Sequence, residues 1–141
     1  MRISVAAVVL FCGMFGIALH AQASHSPKVF VNPLEGPDKG VVDMVSAKLI
    51  SHLVKHGIAV TENVDDADAV LNCTGLIETS TTDEGHTRYR LQAGVRLVDK
   101  DGGVLWADDV SSSRYGLSAS SSFAENVAKS LEQALSKSQK K

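Results

Sequence analysis

Two periodicities divide this chain. From residue 41 to 56 the apolar side chains Val42, Val45, Leu49 and Leu53 recur at helical spacing, with Val41, Ile50 and Val54 beside them, which predicts a helix of about four turns. Asp38 and Asp43 stand near its start, where the helix dipole favours acids, and Gly57 follows as a stop. Residues 27–32 are β-branched at their centre and end in the turn cluster 33–36, so they predict a first strand. Residues 58–62 predict a short second strand, bounded by the turn-rich stretch 63–68. A third is expected over 69–79, with Leu71, Cys73 and Ile77 on one face and Asn72, Thr74 and Glu78 on the other.

The clearest two-residue alternation follows the turn at 81–85. Tyr89, Leu91, Ala93, Val95 and Leu97 point one way and Arg88, Arg90, Gln92 and Arg96 the other, as in a half-buried antiparallel strand. Asp99-Lys100-Asp101-Gly102-Gly103 has the chemistry of a hairpin turn, and 104–114 returns as a fifth strand. The serine-rich stretch 111–122 reads as a strand end plus a loop. Ser122 and Glu125 have capping-box spacing ahead of a helical stripe of Phe123, Val127, Leu131 and Leu135. The order β-α-β-β-β-β-α implies an α+β fold: a two-layer sandwich with a mostly antiparallel sheet, both helices on one face and a polar opposite face. Leu49, Leu53, Leu91, Val95, Leu97, Val127 and Leu131 are the expected core.

Ahead of this pattern lies a different segment. Arg2, an apolar run over 3–19 and the small-x-small triplet Ala21-Gln22-Ala23 form a signal peptide over residues 1–23, with Ser24 the expected mature start. The run is short for a membrane span and lacks a basic stop-transfer cluster, so cleavage is expected, with no stable span afterwards and a periplasmic or secreted destination. Cys12 follows the bulky Phe11 with too few residues before it for lipid attachment. One domain over 24–141 remains, long enough to bury a core without disulfides. Cys73 is then unpaired, expected as a buried small hydrophobe. The formal charge of −2 becomes −3 when Arg2 leaves, with Lys and Arg dispersed, which argues against nucleic-acid binding.

Four phrases carry a resemblance: Val29-Phe30-Val31-Asn32-Pro33, the helical stretch Ala47-Lys48-Leu49-Ile50-Ser51-His52-Leu53, Ala67-Asp68-Ala69-Val70-Leu71, and the hairpin from Val95 through Asp99-Lys100-Asp101-Gly102-Gly103 to Trp106. Together they resemble the small α/β envelope domain of the curli-secretion lipoprotein family and the amino-terminal domain of the Tol-Pal translocation protein. The resemblance implies a non-enzymatic bacterial envelope module acting by protein contact, within an assembly or transport system. It implies no site residues.

Four groups of residues invite chemistry. His52 and His56, four apart on the first helix, are close enough to share a metal, with His86 a possible third ligand; the glutamate of a zinc-protease helix is absent, since Leu53 follows His52, and a solvated helix face is expected instead. No Gly-x-Ser-x-Gly turn accompanies the serines, and no catalytic residue, cofactor site or metal site is expected. Asn72-Cys73-Thr74 matches the glycosylation triplet inside a predicted strand, where chance occurrence explains it better. The fourth group, Arg88, Arg90 and Arg96, is the candidate interaction surface, either a solvated, charge-paired face or a dock for an acidic partner or anionic lipid headgroups. Alternate positions on one strand set guanidiniums side by side, and Glu78, Asp108 and Asp109 on flanking strands are expected to answer them. The expectation is an exported interaction domain whose partners are envelope proteins, docking by the polar sheet face or an open strand edge; the alternative is a small-ligand or lipid binder holding its ligand between sheet and helices.

Overall fold

A computed structural model describes residues 27–116 and 118–140, so the expected leader and the expected start at Ser24 lie outside the described residues. The elements run β1 (Val29–Val31), α1 (Lys39–Lys55), β2 (Val60–Thr61), a 3-10 turn (Val64–Asp66), β3 (Ala69–Asp83), β4 (His86–Asp99), β5 (Val104–Tyr115) and α2 (Ser118–Ser138). One sheet has the order β2-β1-β3-β4-β5. Its long members β3, β4 and β5 form an antiparallel meander, whereas β1 lies parallel to both of its neighbours, which the chain reaches by crossovers that include α1. The α+β sandwich and its element order are as expected; the first two strands are shorter than their sequence patterns.

Local signals account for α1. The Asp38 carboxylate accepts from the Val41 N–H and caps one of the helix's orphan donors. At the other end Gly57 takes φ +78°, a left-handed turn that suits glycine, and the Ile58 N–H returns to the Leu53 carbonyl. Val45, Leu49 and Leu53 of α1, Phe123, Val127 and Leu131 of α2, and Leu91, Val95 and Leu97 of β4 meet in one fully buried cluster. All seven expected core residues lie in it. Each such aliphatic side chain contributes about 1.5–3 kcal/mol by leaving water, which makes the helix–sheet interface the main source of stability.

Three expectations fail for identifiable reasons. Ile77, expected inward with Leu71 and Cys73, is 54% exposed, while Leu76 is buried in its place. The pairing of β3 with β4 shifts between Thr74 and Ile77 around Gly75, whose φ of +67° accommodates the extra residue of a bulge. One added residue reverses every later side chain on the strand. Ser122 and Glu125 do not cap α2, because the helix begins at Ser118 and holds both in its interior. Strand β5 runs on to Tyr115, paired with Arg88, and α2 opens at Ser118, so the serine-rich stretch is strand and then helix. Serine is a mediocre helix former, but here Ala119, Ser120, Phe123 and Ala124 bury one side of the first turns, and that burial overrides propensity.

The outer face of the sheet is polar along most of its length, as expected, but not at one end. Register places Phe30, Val70, Val98 and Val104 in a single apolar row across β1, β3, β4 and β5. The first three are half-buried and Val104 is exposed. Among the described residues no helix is long and apolar enough to cross a membrane.

Candidate functional site

Arg88, Arg90 and Arg96 lie exposed on the outer face of β4, where the alternation put them. Their expected counter-charges do not reach them. Glu78 pairs in register with Leu91 and Asp108 with Val95, both inward positions of β4, so these two acids belong to the helix side of the sheet. Glu78 is displaced by the Gly75 bulge, and the Ser130 hydroxyl donates to Asp108 from α2. Only Asp109, opposite Gly94, shares the face of the arginines. Among the described residues no carboxylate stands within ion-pair distance of any of the three. Arg90 and Arg96 face Thr79 with Ser113 and Asn72 with Ala107 across the ladder, all uncharged.

Arg88 has an aromatic partner instead. Its guanidinium lies 4.7 Å from the ring centre of Tyr115 and donates to the Tyr115 hydroxyl at 3.2 Å. Tyr115, itself 59% exposed, also meets the His86 ring edge-on at 6.4 Å. Stacking preserves the cation's charge while fixing its position. Beside this pair the ends of β3 and β4 are exposed, with Ile77, Thr79 and Gln92 completing a surface of mixed apolar and cationic character. A surface of unanswered guanidiniums next to an exposed aromatic suits binding of a carboxylate-bearing partner.

The second constellation lies on the other layer. His52 and His56 do not form a solvated helix face: α1 packs against α2 along this line, and their side chains retain only 15% and 17% exposure. His52 Nδ1 lies 2.6 Å from Glu125 Oε2, and its Nε2 lies 3.1 Å from the Ser121 hydroxyl. His56 Nε2 lies 3.0 Å from Glu125 Oε1, and its Nδ1 lies 2.5 Å from Glu132 Oε2. One carboxylate thus bridges two imidazoles, and a second terminates the chain. The bond to Glu132, followed by that to Glu125, holds the His56 imidazole above its usual pKa. The bonds from His52 and then His56 hold the Glu125 carboxyl below the usual range.

His86 is far from this pair in the fold, at the start of β4 against Tyr115, so the three imidazoles are not brought together. Among the described residues no set of three His, Cys, Asp or Glu side chains is arranged to hold a metal ion. In the sequence Glu125 reads as part of a capping box and Glu132 draws no notice; both belong instead to the face of α2 that meets His52 and His56 of α1. Cys73 is buried as expected, and burial pushes its thiol up to about 11. Asn72 is half-buried inside β3 and bonds to Asn32, which makes its triplet a strand segment. Among the described residues the Ser112 hydroxyl is the buried side-chain polar atom without a partner.

No protein-family model matches this sequence, and no curated protein does so. Solved structures do match its fold. A minor lipoprotein from Acinetobacter baumannii aligns over 81% of this chain and 93% of its own, with 13% identity and a TM-score of 0.55. A dodecameric PelC variant from Paraburkholderia phytofirmans aligns over 77% and 86%, with 19% identity and a TM-score of 0.53. A lipoprotein from Neisseria meningitidis aligns over 78% and 98%, with 18% identity and a TM-score of 0.52. At these identities the likeness is one of fold: this chain has the same α+β architecture as several bacterial lipoproteins.

Proposed function

We propose that this chain is an exported module of the bacterial envelope that works by contact rather than catalysis, docking an acidic protein segment on the outer face of its sheet. The observation that carries this reading is the set Arg88, Arg90 and Arg96, three exposed guanidiniums that no carboxylate of the described residues answers. A protein gains little stability from such a face, since Arg88 and Arg90, at alternate positions, repel and Arg96 stands six residues further along β4. Its use is to steer and orient a partner of opposite charge, with Tyr115 and Ile77 supplying apolar contact beside it. The signal peptide over 1–23 and the fold shared with bacterial lipoproteins support an envelope location. The alternative of a ligand held between sheet and helices has less behind it, because fully buried side chains from both layers meet there.

The test is a photo-crosslinking residue placed at Gln92, between the arginines, or at Lys129 on the exposed side of α2, in cells that export the chain. Crosslinks to one defined protein from Gln92 and none from Lys129 are expected. One similar structure is a dodecamer, so a second copy of this chain is among the partners this experiment reveals. Crosslinks to lipid alone would replace the protein partner with a membrane surface.

A further inference from the structure

The histidine–glutamate chain between the helices has a property that the arginine face lacks: its bonding depends on how many protons it holds. We propose that His52, His56, Glu125 and Glu132 form a proton-operated latch, which ties the C-terminal half of α1 to α2 in mildly acidic surroundings and loosens it as they turn alkaline.

Hydrogen-bond counting places the switch on His56. Both of its ring nitrogens face carboxylate oxygens, at 2.5 Å to Glu132 and 3.0 Å to Glu125. An ionised carboxylate only accepts, so both nitrogens must carry hydrogen, and the ring that fits is the imidazolium. Loss of one proton turns one contact into a lone pair facing a carboxylate. His52 differs. Its Nδ1 donates to Glu125 and its Nε2 meets the Ser121 hydroxyl, which can itself donate, so a neutral tautomer satisfies both contacts.

The charged groups around His56 come from both helices: Glu125, Lys129, Glu132 and Lys137 border the same depression from α2, and His52 and Lys55 flank it on α1. Strand β2, which follows α1, is Val60–Thr61 and adds no titratable side chain. The lysines oppose a further positive charge, but the two carboxylates contact the ring directly, and the net effect on His56 is the upward displacement already described.

Two features of the fold make the latch consequential. The helix α1 has α2 as its main neighbour, and the short edge strand β2 hangs from its end, paired only through Val60 and Thr61 to β1. Releasing the latch therefore loosens one edge of the sheet while the β3–β4–β5 meander stays paired. The sign follows from the two displacements. A raised His56 contributes its stabilisation below the ordinary imidazole value of 6.5 and loses it as pH climbs through the higher folded value. A lowered Glu125 contributes above the ordinary 4.5 and loses it as pH falls through its lower folded value. The latch is fully shut between those two ordinary values.

Hydrogen exchange on the mature chain, with chelator present and intrinsic rates corrected for pH, tests this at pH 5.5 and 8.5. At the higher pH the second half of α1 and β2 should exchange severalfold faster, with β4 unchanged. His56→Gln should remove that difference, and His52→Gln should retain it. Should His56→Gln fail to fold, an NMR titration of the His56 ring in the wild-type chain decides: a midpoint above 6.5 supports the latch, and one at or below 6.5 overturns it. Uniform exchange changes across the sheet, or a pH response that survives in His56→Gln, would also overturn it. So would saturable zinc binding that abolishes the response once chelator is removed, since the cluster would then be a metal site.

Discussion

The two layers of this molecule treat charge in opposite ways. On the helix side two imidazoles and two carboxylates close on one another, each within 3.0 Å of a partner, and the line they form lies over a fully buried core. On the outer side of the sheet three guanidiniums stand in the open, one of them stacked on a tyrosine and none paired to an acid among the described residues. Charges that answer each other hold a structure together, whereas charges left unanswered are available to something else. The difference separates a holding surface from a meeting surface, and mutations should separate them too.

The largest effects belong beneath the helix layer. Leu53→Ala or Leu131→Ala, at fully buried positions, should lower stability by about 2–5 kcal/mol in urea or thermal unfolding, a large share of the 5–15 kcal/mol typical of a domain. Losses under about 1 kcal/mol at both would mean that this layer does not hold the fold.

Next come the bonds between the helices. Glu125→Gln removes the carboxylate shared by both imidazoles, and it should lower the melting temperature at pH 6 and lower it less at pH 3.5, as pH falls through the lowered folded value of Glu125. The wild-type melting temperature should fall as pH rises from 6.5 toward 8.5, because the raised His56 then gives up its proton. An equal response from Glu125→Gln at both pH values would assign this residue a packing role instead.

Smaller still, Ser112→Ala removes a buried hydroxyl that has no partner among the described residues. It should leave stability unchanged or raise it by about 1 kcal/mol, measurable as a small upward shift in urea midpoint. Destabilisation would reveal an unseen partner for that hydroxyl.

How much of this was legible in the sequence depended on how local the cause was. Strand β4 could be read residue by residue because inward and outward side chains alternate without interruption from Tyr89 to Leu97. The helical stripes of α1 and α2 were equally plain. Gly75 hid the far end of β3, since a bulge shifts register without changing the composition around it. That one residue also misplaced Ile77 and Glu78, and with Glu78 one of the expected answers to the arginines. Asp108 needed the β4–β5 register to be assigned to the helix side. The histidine–glutamate chain was the least visible, because its members lie 69 to 76 residues apart and meet only when two helices pack side by side. The arginines were found for the opposite reason: they share one strand.

The meeting surface is tested most directly by Arg88→Glu combined with Arg90→Glu, read out as partner binding across a salt series together with the melting temperature. These side chains are exposed and, among the described residues, unpaired with acids, so the melting temperature should stay within a few degrees, as expected for surface changes of about 0.5 kcal/mol or less. Binding to the protein crosslinked from Gln92 should weaken sharply, and the wild-type interaction should weaken as salt rises. Undiminished binding by the double variant would contradict a docking role for this face.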